Sequence, residues 1–200
     1  MCNEIARQIA LNKLREAMRE KSLPLFEWTG GRIPNDLDPK DSIKIRDSAL
    51  VVRHANDKLV GAMTTWAWPA RNGKPVFNFV SEGRDFSDSD RVLILATGFY
   101  EYTAPENPKV KLKDRHLFTM AGEDWFWIAG IVRDAAFTML TTAPGPDVKP
   151  YHDRQIVVLR PLEGLAWLDL SAPQDELLRA PPKGALEVRT LRKDGVAPAA

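Results

Sequence analysis

The stretch from Arg91 to Tyr102, RVLILATGFYEY, carries the signals that decide the fold. Its residues 92–96 form a continuous apolar run rich in branched side chains, which is the pattern of a strand covered on both faces. The chain then reaches Glu101, which lies between two tyrosines. Burying an ionised carboxylate is costly, so Glu101 should either meet a donor or keep its proton through a raised pKa. A Glu that simply alternates outward to water is the alternative.

The composition is that of a soluble globular protein with a single core. The chain has 200 residues, of which 44% are apolar and 28% charged. It has no apolar run long enough to cross a bilayer, and its first residues are too charged for a secretory signal. We therefore predict a cytoplasmic protein with a single domain at 1–193 and a disordered tail at 194–200. Because the net charge is +1, any nucleic-acid binding must come from a local basic surface.

Apolar periodicity predicts a mixed fold. Helical spacing indicates an amphipathic helix at 3–20, capped by Asn3. Strands are expected at 43–45, 49–53, 59–66, 76–80, 92–96, 116–120, 125–132, 137–141, 156–159 and 186–190, with a hairpin turn at 56–57 and short helices at 161–170 and 174–179. The strands between 116 and 141 are interpreted as a meander. We predict an α+β fold in which a mostly antiparallel, barrel-like β-sheet is flanked by peripheral α-helices.

Cys2 is the only cysteine of the chain, so no internal disulfide can form. The three histidines, His54, His116 and His152, are widely spaced, and we expect neither a metal site nor a cofactor. Initiator Met is commonly removed when the next residue is small. Removal of Met1 would place a free α-amine and a thiol on the same residue, a combination that no internal cysteine has.

Two further polar residues lie at positions where apolar ones are expected. Asn78 interrupts an apolar strand, and a buried amide needs partners for its oxygen and both of its hydrogens. It either braces backbone or points into a site. His152 lies immediately before the strand at 156–159, where it either caps backbone or takes part in chemistry.

Taken in order, these local contexts resemble the SRAP family (SOS response-associated peptidase), sensors of abasic sites in single-stranded DNA. The resemblance runs from Cys2 to about Leu191. It rests on segments 1–3, 66–69, 98–102, 140–144, 151–154 and 156–159, together with Asn78 in its strand.

The resemblance implies a covalent chemistry. Cys2, freed of Met1, would attack the ring-opened aldehyde of an abasic site through its amine, and its thiol would then close a thiazolidine. An α-amine suits this step because its pKa is roughly 7.7–8.0, against about 10.4 for Lys. By resemblance, Glu101 is the proton shuttle, His152 assists sugar opening and any lyase step, and Asn78 orients Cys2 and the lesion. The implied partner is single-stranded DNA with abasic sites, in the nucleoid, without membrane or metal.

Six residues near these segments are predicted to contact the DNA. Thr142 is expected on the wall of the site, Trp68 and Tyr102 are expected to stack on bases, and Arg71, Arg84 and Arg154 are expected to bind phosphate. Many family members carry arginines where this chain has Glu4 and Val80. Their loss removes charge-assisted phosphate contacts, and Glu4 adds a repulsive charge close to the expected DNA path.

Two other functions remain open at the level of sequence. The first is a cysteine peptidase that removes its own leader, which here is only Met1. The second is a non-catalytic module that binds single-stranded DNA or a protein.

Overall fold

A computed structural model describes residues 2–55, 58–69 and 73–197. The strands are β1 (Glu4–Arg7), β2 (Glu27–Trp28), β3 (Lys40–Lys44), β4 (Ser48–Ala55), β5 (Lys58–Trp66), β6 (Trp68–Pro69), β7 (Pro75–Val76), β8 (Asn78–Val80), β9 (Arg91–Ala96), β10 (Gly98–Thr103), β11 (Asp114–Met120), β12 (Phe126–Arg133), β13 (Ala136–Thr142), β14 (Gln155–Ile156), β15 (Val158–Leu159) and β16 (Leu186–Arg192). The α-helices are α1 (Leu11–Glu20), α2 (Pro161–Asp169) and α3 (Gln174–Leu177). Within the described residues, no helix has the length and apolar character needed to span a membrane.

Two sheets hold most of these strands. The first has the order β16-β11-β10-β1-β3, and all of its neighbours are antiparallel. The second has the order β14-β13-β12-β9-β4-β5-β2, with β8 and β15 attached. β5 also pairs with β13 in parallel, so the second sheet curls back on itself. The predicted α+β fold, mostly antiparallel with peripheral helices, is confirmed. The expected hairpin turn at 56–57 lies outside the described residues.

β9 lies at the centre of the fold, as the apolar run at 92–96 predicts. It pairs with β4 on one side and β12 on the other. Leu93 and Leu95 face an apolar cluster that includes residues of α1 and α2. Val92 and Ile94 face a second cluster, which includes residues of both sheets. Burial on both faces therefore explains the absence of polar alternation in this strand.

The N-terminal prediction is wrong in one respect that matters for the site. Residues 4–7 form a buried strand, β1, and the helix begins only at Leu11, with Ala10 and not Asn3 at its N-cap position. Ile5 and Ile9 fit a helical spacing, but pairing with β10 and β3 satisfies this backbone from both sides. Arg7 is buried because its guanidinium donates to the carbonyls of residues 36–38.

The predicted meander is also wrong. β11 pairs with β10 and β16 in the first sheet, whereas β12 and β13 pair with each other in the second. The turn between β11 and β12 therefore crosses from one sheet to the other. Local periodicity identifies a strand, but its partners depend on long-range packing.

Contacts of the fold continue past the expected domain end at residue 193. Lys193 pairs with Val196 in a tight turn. Asp194 donates its backbone N–H to Asp114 and accepts a hydrogen bond from the backbone of Asn107. Residues 198–200 of the predicted tail lie outside the described part of the chain.

Candidate active site at the amino terminus

β1 brings the start of the chain to the strand that carries Glu101. The register Ile5 opposite Phe99 and Ala6 opposite Gly98 makes the terminus run antiparallel along β10. Cys2 is only 1% exposed, and its Sγ donates to the Glu4 carbonyl at 3.3 Å. Burial raises the pKa of the Cys2 thiol well above its ordinary value, and the nearby charge of Glu101 raises it further.

Glu101 lies in β10 with 2% of its surface exposed. Burial raises its pKa to about 7. The positive charge of the chain terminus acts against this rise, the charge of Asp153 adds to it, and a hydrogen bond from the Cys2 backbone opposes it. The outward, solvated position for Glu101 is wrong. The buried carboxyl has both features of the first expectation, because it meets a donor, the Cys2 backbone, and burial raises its pKa.

Asn78, in the second sheet, forms a hydrogen bond to Cys2. Its strand β8 pairs in parallel with β13, with Asn78 opposite Met139. The Asn78 side-chain nitrogen donates to the carbonyl of Cys2 at 2.7 Å. Cys2 is therefore fixed between the two sheets, with its backbone nitrogen bonded to Glu101 and its carbonyl bonded to Asn78.

His152 follows a tight turn whose backbone bonds fix its position, including its own N–H donating to the Val148 carbonyl at 3.0 Å. Its Nδ1 lies 2.7 Å from Asp153 Oδ1 and 3.0 Å from the Arg154 backbone nitrogen. Burial lowers the pKa of His152, and the terminal charge lowers it further, against the opposing charge of Asp153. A neutral ring accepts the Arg154 N–H at Nδ1 and carries its proton on Nε2, whereas a protonated ring can donate to Asp153.

The fold thus brings the four predicted catalytic residues into one region. Cys2, Asn78 and Glu101 are in direct contact. His152 directly follows Tyr151, whose ring packs against the cluster that contains Cys2 and against His116, the residue opposite Glu101.

Arg154, predicted to bind phosphate, is already held by a carboxylate that the sequence did not single out. Its guanidinium makes two bonds to Glu82, at 2.7 and 2.8 Å, and a third to Thr141 Oγ1 at 3.2 Å. The hydrogen bonds from Arg154 lower the pKa of Glu82 to about 2, despite partial burial. Glu82 also accepts the Ala143 N–H, so it fixes Arg154 to the end of β13.

Trp68 and Tyr102, predicted to stack on bases, both form contacts within the protein. Trp68 is 3% exposed, donates its indole N–H to the Ala136 carbonyl, and is covered by the Arg133 guanidinium at 4.6 Å. In this conformation little of its ring surface is accessible for stacking on a base. Tyr102 is half-buried and donates its hydroxyl to Glu4; burial and this bond raise its pKa to about 12.

The other substrate-binding candidates lie in different surroundings. Thr142 is buried at the end of β13, opposite Gln155. Arg84 is exposed, with its guanidinium 4.5 Å from the centre of the Phe79 ring. Arg71 lies outside the described residues. Their roles in binding DNA stay predictions.

Glu4, expected to repel the DNA backbone, is paired with neighbouring side chains of the protein. Glu4 accepts hydrogen bonds from Ser42 at 2.6 Å, from Tyr102, and from Arg115 at 2.8 Å. Its negative charge is therefore compensated on the protein itself. Val80, the other replaced arginine position, is an apolar side chain that is 44% exposed.

His116 is a residue of this region that the sequence did not point to. It lies opposite Glu101 in the β10–β11 pair, so both side chains project from the same face. Its ring nitrogens contact the hydroxyls of Thr103 and Thr190 at 2.9 and 3.0 Å, and its ring lies 4.7 Å from that of Tyr151. Only the strand register reveals this proximity. Across residues 2–55, 58–69 and 73–197, no group of His, Cys, Asp and Glu has the arrangement of a metal site.

Solved structures with a similar fold cover almost the whole chain. A phage-related protein from Bordetella bronchiseptica is 20% identical and has a TM-score of 0.69, covering 99% of this chain and 100% of its own. A second protein from the same organism is 20% identical, with a TM-score of 0.65 and coverage of 96% and 100%. A protein from Bacteroides thetaiotaomicron is 15% identical, with a TM-score of 0.70 and coverage of 96% and 93%. These identities support a shared fold.

No match was found among curated proteins. A family model described as SOS response associated peptidase (SRAP) matches residues 1–195. Because this match spans nearly the entire sequence, the protein belongs to the SRAP family.

Proposed function

We propose that the processed protein captures abasic sites in single-stranded DNA as a covalent thiazolidine on Cys2. The observation that carries this proposal is the hydrogen bond between Glu101 and the backbone nitrogen of Cys2. Once Met1 is removed, that nitrogen is the α-amine. A buried acid, whose pKa is about 7 in the chain that carries Met1, is then in contact with the atom that has to lose protons during the reaction.

The proposed reaction forms two bonds and releases one water. The Cys2 amine attacks the aldehyde carbon of the opened sugar and gives a carbinolamine, which loses water to form an imine. The Cys2 sulfur then adds to the imine carbon, and the thiol proton moves to the nitrogen. Because amine and thiol belong to the same residue, ring closure needs no bimolecular encounter.

Glu101 is placed to move the protons that this sequence of steps requires. Its pKa is raised to about 7 in the chain that carries Met1, and in the processed protein the ammonium of Cys2 in contact with it favours the carboxylate. The carboxylate takes a proton from the ammonium of Cys2, and the acid form returns one to the leaving water. His152, neutral because its pKa is lowered, is suited to accept or return a proton during opening of the sugar.

Asn78 supports the same chemistry by orientation. Its hydrogen bond to the Cys2 carbonyl restricts rotation of the Cys2 backbone, so that the Cys2 nitrogen stays directed towards Glu101. The proposal also requires that loss of Met1 open the site, because Cys2 is 1% exposed in the chain that carries Met1. Reaction of the thiol with a small disulfide reagent should accordingly be faster in processed than in unprocessed protein.

An oligonucleotide with one abasic site tests the proposal. Wild-type protein should give an adduct that survives denaturing electrophoresis without any reducing agent. Cys2→Ala and its polar counterpart Cys2→Ser both keep the α-amine but lack the sulfur, so their adducts should survive denaturation only after borohydride reduction of the imine. An adduct of undiminished yield in Cys2→Ala without reduction would refute the role of the Cys2 sulfur.

Self-removal of Met1 is a second candidate function, favoured by the same contact. In the unprocessed chain, the nitrogen bonded to Glu101 is the leaving group of the Met1–Cys2 peptide bond. Water adds to the Met1 carbonyl carbon, and an acid with a pKa of about 7 protonates this nitrogen as the bond breaks, which releases free methionine and the Cys2 amine. The intact mass of Glu101→Ala tests this: retained Met1 supports self-processing, and complete removal assigns the step to a cellular aminopeptidase.

A further inference from the structure

A cleft of about 560 Å³ opens beside the amino terminus. Asn3, the residue after Cys2, contributes to its lining. Its cationic side chains come from three separate parts of the chain: Lys44 at the end of β3, Lys111 and Lys113 before β11, and Arg192 at the end of β16. The first sheet therefore collects at one end several positive charges that are distant in sequence.

These charges are largely uncompensated. Glu4 also lines the cleft, but its carboxylate is bonded to Arg115 at 2.8 Å. Within the described part of the chain, none of Lys44, Lys111 and Lys113 forms an ion pair with a carboxylate. The cleft therefore carries a positive potential in a protein whose total charge is only +1.

The lysine-bearing wall of the cleft is held in place by the sheet. Arg192 donates two hydrogen bonds, at 2.9 and 2.7 Å, to the carbonyl of Lys113. Between the two lysines of this wall, Leu112 is 54% exposed. The two lysines can contact the phosphates of single-stranded DNA, and the apolar side chain between them can contact its unpaired bases.

The cleft is also connected to the site at the terminus. Asn3 and Glu4, the two residues that follow Cys2 in the chain, both line the cleft. A strand bound at Cys2 and running past Asn3 would therefore meet this row of cations.

We propose that this cleft binds the phosphate backbone of single-stranded DNA next to the abasic nucleotide, in place of the arginines missing at Glu4 and Val80. The identity of this ligand rests on the proposed function. The cations lie beside the reacting residue, so they would hold the strand flanking the lesion and carry no base specificity.

Binding of an intact single-stranded oligonucleotide, without any abasic site, tests the cleft separately from the chemistry. The triple variant Lys44→Gln, Lys111→Gln, Lys113→Gln is compared with a control, Lys13→Gln, Lys58→Gln, Lys183→Gln, which removes the same charge at positions that do not line the cleft. Each lost phosphate contact lowers the slope of log K against log salt by about 0.7, so three should lower it by about 2. We also expect binding at low salt to weaken roughly tenfold or more.

The outcomes distinguish the two proposals. A reduced slope in the cleft variant alone supports the cleft, even if wild-type protein fails to crosslink abasic DNA, in which case only the proposed function falls. Equal slopes in both triple variants, or no measurable binding of single-stranded DNA by wild-type protein, overturn the cleft proposal whether or not crosslinking occurs. Equal competition by polyglutamate of the same length would assign the cleft to acidic proteins and overturn it as well.

Discussion

Glu4 and Glu101 are two carboxylates on neighbouring strands, equally hidden from solvent and opposite in behaviour. They are 3% and 2% exposed, respectively. Burial raises the pKa of both, but in Glu4 the hydrogen bonds from Ser42 and Tyr102 and the charge of Arg115 outweigh it, and the pKa is lowered. In Glu101 burial dominates, and the pKa rises to about 7. Partners, and not burial, decide whether a buried acid stabilises a fold or is available for proton transfer.

The two acids also face opposite sides of the same sheet. Ile5 pairs with Phe99, so Glu4 projects with Tyr100 and Glu101 projects with His116. The side of Glu4 is rich in donors, whereas the side of Glu101 meets the Cys2 backbone and the apolar cluster between the sheets. Replacing Glu101 by Gln should therefore affect mainly the reaction rate, and replacing Glu4 by Gln mainly the stability of the fold.

The largest expected difference between the two acids is catalytic. Glu101→Gln should slow adduct formation by about 10²–10⁴-fold, the usual contribution of general acid–base catalysis, because an amide cannot exchange the proton. Glu4→Gln should leave the rate within about threefold of wild type. Single-turnover crosslinking with an abasic oligonucleotide measures both. Similar rates in the two variants would remove Glu101 from the mechanism.

The pH dependence of stability should reveal the raised pKa of Glu101. Its ordinary pKa is 4.5 and its pKa in the folded chain that carries Met1 is about 7, so on titration of that chain the unfolded state releases this proton first. Stability is therefore lost as pH rises from about 4.5 to 7, by about 2–3 kcal/mol. Glu101→Gln lacks this loss.

Urea unfolding at pH 5 and pH 8 provides the measurement. The free energy of unfolding of wild type should fall between the two pH values by more than that of Glu101→Gln, by the amount above. Equal pH dependence in the two proteins would show that Glu101 titrates normally.

Glu4 should show the reverse sign and a smaller effect. Its lowered pKa contributes stability that is present above pH 4.5 and is lost as pH falls through the folded pKa. Glu4→Gln should destabilise the protein by about 1–3 kcal/mol at pH 7, because Arg115 loses its ionised partner. The difference from wild type should shrink in acid. Arg115→Gln, which removes the other partner, serves as the comparison, and a Glu4→Gln variant of unchanged stability would contradict the account.

Asn78 should give the smallest effect. Asn78→Ala removes one hydrogen bond to the Cys2 carbonyl, so we expect a loss of about 1 kcal/mol in stability. Adduct formation should slow by about five- to tenfold, as the terminus becomes less restricted. Ser81→Ala, which removes a hydroxyl bond to the neighbouring strand, is a control of similar cost. A rate loss in Ser81→Ala equal to that in Asn78→Ala would reduce Asn78 to a structural residue.

Local sequence patterns predicted the central strand and the unusual acid beside it. The apolar run of residues 92–96 predicted the buried strand β9, and the aromatic neighbours of Glu101 indicated a buried carboxyl. The helical spacing of Ile5 and Ile9 was misleading, because β1 is stabilised by two strands that are distant in sequence.

The partners of the site could not be read from the sequence for the same reason. The bonds of Glu82 to Arg154 and of Glu4 to Arg115 join residues 72 and 111 positions apart. The basic cleft likewise combines Lys44 with residues 111–113 and Arg192, which only the order of strands brings together. Sequence predicted the candidate reacting groups, whereas their pKa values and their neighbours depend on the folded structure.

The intact mass of the protein–DNA adduct tests the central claim most directly. We expect the mass of the protein without Met1 plus that of the abasic oligonucleotide minus one water, with the modification mapped to Cys2 by peptide sequencing. An adduct in which Met1 is still present, or one attached to a lysine, would contradict the assignment of the Cys2 amine as the reacting group.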